Sequence, residues 1–312
     1  MSGNDDRPPA FKSDGRWFRG NLHTHSDRSD GVAPPEQVLA EYQEAGYDFL
    51  VLTDHFEARW GWTVTDTSDA RAGDFTTLLG AELSSADWDD EDVFWVNAIG
   101  LPVDFAAPQD SESHADAIRR AAEVGAYNVL LHPGLTNLLN LDGVPIEHLH
   151  AVETYNQNLA VEWPDQAEAR YFVDALLARG HRLHVTVGDD AHWNHPWDRF
   201  AAWIEVRADR LDPAVLLGAL KAGAYYSTQG PRINDVRVDG RRVRVACSPV
   251  RSVTLTGIHG FRSDVVIGDP VEEASLDLDK LRSPYWRVTV TDPRGKRAWT
   301  NPVWDLGGQP LQ

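Results

Sequence analysis

Seven short apolar runs recur between residues 17 and 192, and helix-like stretches fall between several of them. The first leads into "NLHTH". The others are "DFLVLTDH" (48–55), "FTTLLGAELS" (75–84), "FWVNAIGL" (94–101), "YNVLLHPG" (127–134), "AVETYN" (151–156) and "LHVTVGDDAH" (183–192). Each has the length and apolar content of a buried strand. The stretches "PPEQVLAEYQEAG" (34–46), "HADAIRRAAEVG" (114–125) and "DQAEARYFVDALLARG" (165–180) read as helices closing on glycine, which adopts the left-handed turn after a helix without strain. Strands alternating with helices imply parallel β/α units. Seven of them predict an α/β fold closed as a barrel rather than left as an open sheet. No Gly-rich loop follows the first strand, so a dinucleotide-binding fold has no support.

Polar residues gather where these runs end. His23 and His25 close the first, Asp54 and His55 the second, Glu82 the third, His132 the fifth, Glu153 the sixth, and Asp190 with His192 the seventh. In a β/α barrel the C-terminal strand ends open on one face, which holds the active site. Residues two apart on a strand share a face, so His23 and His25 project together, with Asp30 five residues further on. Neutral imidazole and carboxylate are ligands for zinc, manganese and iron. Singly, each residue has a plainer use: His132 as a hydrogen-bonded core histidine, Asp30 in a turn before Gly31, Asp190 as a helix cap, Asp54 as a support that orients a ligand. Jointly, so many placements at strand ends predict a multinuclear metal site.

The texture changes after about Asn234. "VRVDGRRVRVACS", "SVTLTGIHG" and "YWRVTVTDPRGKRAWTNPVW" alternate apolar and polar residues between turn signals, with "VDGR" a hairpin turn. The expected organisation is a disordered tail over 1–16, the barrel over 17–232 and a small antiparallel, sandwich-like β domain over 233–312. A formal net charge of −19 argues against a nucleic-acid duplex or an anionic membrane as partner. The one cysteine, Cys247, excludes an internal disulfide or a cysteine-based metal cluster. No apolar run approaches the roughly 20 residues that cross a bilayer, and the polar start lacks a secretory pattern. A cytoplasmic protein acting on a small molecule is the expectation; oligomeric state is not legible.

"HTHSDRSDG", "LTDH", "GAELS", "LLHPG" and "GDDAH", in this order and spacing, resemble the PHP (polymerase and histidinol phosphatase) superfamily over residues 17–230. The resemblance implies a distorted (β/α)7 barrel with two or three divalent ions, zinc, manganese or iron. It implies that His23, His25, Glu82 and Asp190 hold one ion, that Glu82 bridges to a second bound by His132, and that Asp30, His55 and His192 hold a third. "WFRGNLHTH", "VNAIGL", "VETYN", "TQGPRI" and "TNPVW" resemble the carbaryl-hydrolase-like branch, which also carries a C-terminal β domain. In many relatives a histidine ligand lies near the fourth strand; here Trp95 stands in the matching stretch, so Glu153 or Asn156 completes that site, or it is weak, or only two ions bind.

Such ions generate hydroxide at neutral pH and polarise a substrate oxygen, so the implied reaction is hydrolysis. Glu82, Asp190 and His192 are the candidate catalytic groups. No G-x-S-x-G elbow or Cys–His pair offers a protein nucleophile. Phosphoesters match the superfamily's commonest chemistry; carboxylic or carbamic aryl esters match the branch. A non-catalytic metal-binding scaffold is the rival from another class. Arg28, Arg199, Arg232 and His195 lie near the motifs as candidate substrate contacts, although exposed arginines commonly have no such role. Trp60, Trp62, Trp88, Trp163, Trp193 and Trp197 fall in the expected loops, either packed under them or lining a pocket for an aromatic substrate. His114, His148, His150, His181 and His184 read as structural.

Overall fold

The computed structural model describes residues 7–12, 14–84, 94–109, 111–136 and 143–304. Trp88 and the first six residues of the expected tail lie outside them. The first part of the chain runs β1 (Arg16–Asn21), α1 (Pro35–Glu44), β2 (Phe49–Leu52), β3 (His55–Phe56), β4 (Thr76–Ser84), β5 (Trp95–Ile99), α2 (His114–Glu123), β6 (Tyr127–Leu130), β7 (Ala151–Asn156), α3 (Gln157–Glu162), α4 (Arg170–Ala178) and β8 (His184–Gly188). It continues with β9 (Trp203–Ala208), α5 (Pro213–Lys221) and β10 (Tyr225–Thr228). β2, β6 and β7 are buried at every position, as strands covered on both faces must be.

The chain is mixed α/β, but the seven strands do not form a closed, all-parallel barrel. Strands β1, β2 and β4 pair in parallel, as do β6, β7 and β8, whereas β5 is antiparallel to both β4 and β6. Only ten residues separate Ser84 from Trp95, too few for the crossover of a dozen or more that a parallel return needs. Closure fails at β1, whose other edge is taken by the antiparallel β9. Beyond the end of β1 a single bridge joins Thr24 to Ala191, just past β8. There His25 N donates to Ala191 O at 2.9 Å and Asp190 N to His23 O at 2.8 Å. The sheet is thus open along its length and tied at one point, where the histidine and carboxylate motifs meet.

Strands β11 (Ile233–Asp239), β12 (Arg242–Thr256), β13 (Asp264–Asp277), β14 (Tyr285–Thr291), β15 (Arg297–Thr300) and β16 (Val303–Trp304) are antiparallel. Gly240 and Arg241 make the expected hairpin turn, with Gly240 at φ 58°. Register shifts between Ala246 and Ser252 break the pairing of the long β12 with β13, and Val236, Val243, Val253, Leu255, Val288 and Val290 form a core there. These strands do not stand apart: β15 pairs with β10, which carries one sheet across the boundary expected at residue 232. The tail expectation also fails for Pro9–Phe11, a 3-10 turn whose Ala10 and Phe11 are buried in that second core. The cause is aromatic packing: Phe11 meets Trp17 at 5.6 Å and Tyr226 at 6.3 Å.

Candidate metal centre

Two sets of donor atoms meet at the tie between β1 and β8. His23 Nε2 lies 3.1 Å from Glu82 Oε2 and 3.0 Å from Asp190 Oδ1. His25 Nε2 lies 3.1 Å from each of the same two oxygens. Ligands about 2.1 Å from one tetrahedral ion sit about 3.4 Å apart, so this spacing suits a shared cation. His25, Asp30, His55 and His192 form the second set: Asp30 reaches His25 Nδ1 and His192 Nε2 at 3.4 Å each and His55 Nε2 at 3.2 Å. In each set the four donor atoms lie within 4.8 Å of one another, and His25 belongs to both.

Local structure explains the convergence. β4 ends with Glu82 pointing into the site, and β3, pairing parallel to it, sets His55 beside Glu82. Asp190 has φ 54° and His132 φ 22°, left-handed conformations that are rare for residues with a side chain. His132 Nε2 stands 3.7 Å from Glu82 Oε1, outside both four-residue sets. The antiparallel course of β5 brings its first residue, Trp95, beside Ser84 at the site end of β4, and the indole packs edge-on against the His132 ring at 5.3 Å.

The remaining predicted residues hold these groups in place. Glu153 Oε1 pairs with His23 Nδ1 at 3.0 Å, while its Oε2 accepts from His132 N at 3.2 Å and Asn156 Nδ2 at 3.0 Å. Asn156 Nδ2 also donates to Asp190 Oδ2 at 3.0 Å, and its Oδ1 caps α3 through Leu159 N. Both are thus engaged with neighbouring site residues, the arrangement expected of groups that support a ligand. Asp54 accepts from Ser26 N (2.7 Å), Ser26 Oγ (2.8 Å), Ser29 Oγ (2.9 Å) and Thr65 Oγ1 (2.6 Å), bracing the loop that carries Asp30. Gly188 leaves room for this packing, since a Cβ there would lie 2.6 Å from Glu153 Oε1 and 2.7 Å from His23 Cβ.

Two buried carboxylates escaped the sequence reading. Asp189 accepts from Asn21 Nδ2, Tyr42 OH and the backbone N–H groups of Phe200, Ala201 and Ala202. Burial pushes its carboxyl up to about 6 in spite of those donors. Asp198 accepts from His192 N at 3.2 Å and from the Arg199 guanidinium. Together they clamp the loop bearing His192. The doubled aspartate of "GDDAH" was the available signal for Asp189; nothing local marks Asp198.

The electrostatics call for positive charge. Burial would depress His23 and His25, yet Asp190 with Glu153, and Asp190 with Glu82, hold them well above the ordinary imidazole range. Burial would raise Glu82 and Asp190, yet the surrounding imidazoles hold both well below the usual carboxylate range. His25 Nε2 is buried and faces one oxygen each of Glu82 and Asp190 at 3.1 Å. A nitrogen lone pair facing two carboxylates suits a cation between them, so the residues fit a metal ion.

The groups open into a cavity of about 410 Å³, also lined by Trp95, Leu135, Leu159, Glu162 and Trp163. The candidate substrate arginines lie elsewhere. Arg28 lines a separate cavity of about 810 Å³, with Trp60. Arg199 stacks on Trp193, its guanidinium carbon 4.3 Å from the ring centre. Arg232 is exposed at the start of the C-terminal strands. His195 pairs with Glu162 at 3.4 Å beside the cavity. Trp62 and Trp193 pack under loops against Phe56 and Tyr42, while Trp163 and Trp197 are 49% and 69% exposed.

No family model and no curated protein matches the chain. Among solved structures it is similar to a two-domain protein from Bacteroides vulgatus containing a predicted PHP-like metal-dependent phosphoesterase, with a TM-score of 0.55 and 16% identity over 99% of this chain and 92% of that one. The chain shares the fold of that two-domain protein. The lesion-specific endonuclease PfuEndoQ from Pyrococcus furiosus gives a TM-score of 0.46 and 14% identity over 66% of this chain and 56% of that one. An amidohydrolase from Chromobacterium violaceum with bound sulfate gives 0.38 and 15% over 55% and 87%. Among the described residues no helix is long and apolar enough to cross a membrane.

Proposed function

We propose that the chain is a PHP-type metal-dependent hydrolase, a phosphoesterase acting on small phosphate esters. One observation carries the reading: two four-residue donor sets share His25 and open into one cavity. His23, His25, Glu82 and Asp190 hold one divalent ion. Asp30, His55 and His192 hold another beside His25, and His132 with Glu82 offers a third position. Zinc, manganese or iron bound there lowers the pKa of water and polarises the ester oxygen. The protein's own part is orientation. Glu153 accepts a hydrogen bond from His23 Nδ1–H and so would leave the Nε2 lone pair to the ion shared with Glu82 and Asp190. The backbone carbonyl of Asp190 does the same for His192 Nδ1 at 2.8 Å, turning Nε2 toward Asp30. Asn156 fixes the second oxygen of Asp190.

A carboxylic or carbamic aryl esterase, in keeping with the carbaryl-hydrolase-like branch, is the second reading. It is favoured by the cavity wall, which contains no lysine or arginine to meet a phosphate. The deciding experiment strips the protein with chelator, restores one metal at a time and compares an aryl phosphomonoester, a phosphodiester and an aryl carboxyl or carbamate ester. Chelator-sensitive phosphate release supports the first reading. Ester cleavage without it supports the second, and no turnover with stoichiometric bound metal leaves a scaffold.

A further inference from the structure

The cavity wall away from the donor sets has a composition that metal binding does not explain. Glu162 is the one ionisable lining residue, among the described residues, outside the proposed ligands. It ends α3, where the helix carbonyls disfavour a carboxylate, so helix stability gives no reason for it. Its partner is His195, itself 44% exposed, at 3.4 Å. Trp163 follows directly, half-exposed, and Trp95, Leu135 and Leu159 line the wall with the uncharged amides of Asn158 and Asn194. No lysine or arginine lines this wall, and all 29 of the chain's lysines and arginines fall among the described residues.

A carboxylate next to a half-exposed indole, paired among the described residues with the part-exposed His195 and with no lysine or arginine in the wall, is suited to an ammonium group that takes the place of that imidazole. The carboxylate supplies charge and the indole a cation–π contact. The same wall repels a second anion. We propose that the cavity takes esters whose leaving alcohol carries an ammonium group, held between Glu162 and Trp163. This rests on the hydrolase reading above and names its substrate class. Water adds to the ester, the bond to the alcohol oxygen breaks, and the ammonium alcohol departs with the proton that water gives up.

The test compares metal-loaded protein on phosphocholine, on its uncharged isostere 3,3-dimethylbutyl phosphate, and on a phosphate ester of a carboxylated alcohol. The expected order of kcat/KM is phosphocholine above the isostere by at least tenfold, with the carboxylated ester last. Glu162→Gln is expected to bring the first ratio close to one. A wild-type ratio near one, or a ratio unchanged in Glu162→Gln, overturns the proposal while leaving the hydrolase reading in place. Chelator-insensitive silence on all three and on p-nitrophenyl phosphate overturns the phosphoesterase reading instead. Binding of choline and of 3,3-dimethylbutanol, followed by ligand NMR, then decides the site by itself. Choline bound more tightly, and weakened at least fivefold in Trp163→Ala, sustains it; equal binding of the two alcohols overturns it.

Discussion

His23 and Glu153 meet at 3.0 Å through Nδ1 and Oε1, both side chains almost wholly buried, while the opposite ring nitrogen of His23 faces Glu82 and Asp190. The carboxylate fixes both the tautomer and the direction of the ring, and loss of such a partner typically weakens metal affinity about 10–100-fold. Glu153→Gln keeps the shape but removes the charge. It is expected to lower metal affinity by roughly that factor with the fold retained, as read by competition with a chromophoric chelator and by circular dichroism. Wild-type affinity in the variant would show that Glu153 serves packing alone.

Gly188 is expected to be intolerant of a single added methyl. The Cβ of Gly188→Ala would press on His23 Cβ, which cannot swing away as a side-chain tip can, and on Glu153 Oε1. Overpacking of this kind costs about 1–3 kcal/mol, so the urea midpoint falls and the His23 donor set is displaced. Full metal stoichiometry and an unchanged midpoint in the variant would contradict the close packing described here.

Asp54 separates support from ligation. Asp54→Ala strands the Ser26, Ser29 and Thr65 donors that converge on the carboxylate, at a cost of about 3 kcal/mol. It also frees the loop bearing Asp30. Elemental analysis is expected to show ion lost from the set containing Asp30, with the Asp190 set still loaded. Equal loss from both would instead make Asp54 part of one indivisible centre.

Much of this was legible in the sequence because the motif residues sit at strand ends, where chain position nearly dictates spatial position. Two of the three expected helices lie close to their expected bounds, whereas the one expected from 165 begins only at Arg170, after a 3-10 turn at Pro164–Gln166. The antiparallel β5 and the open sheet were not legible, since strand direction depends on the length of what lies between. Ten residues between Ser84 and Trp95 turn β5 around, and an apolar run alone does not carry direction. Asp198 was hidden because it falls in no motif, although its partner His192 N is near in sequence. Glu153 was legible as a possible ligand or support, but its partner His23 was not, since the two are distant in sequence. Phe11 was read as tail because a three-residue turn has no periodicity, and its aromatic partners lie at Trp17 and Tyr226.

Acid is expected to destabilise the fold through buried histidines that belong to neither donor set. Burial lowers His114 and His184 from 6.5 to about 4. His114 Nε2 donates to Leu83 O at 3.2 Å, and His184 Nδ1 meets Tyr127 OH at 3.1 Å. Both stay neutral in the folded chain while the unfolded chain takes up protons below 6.5. Their contribution is therefore complete above pH 6.5 and is lost as pH falls toward 4, by up to about 3 kcal/mol each. Urea midpoints measured between pH 7.5 and 4.5 are expected to drop less steeply in His184→Gln than in the wild type, with the gap opening below pH 6.5. Parallel curves for the two proteins would mean that His184 is not held neutral by burial.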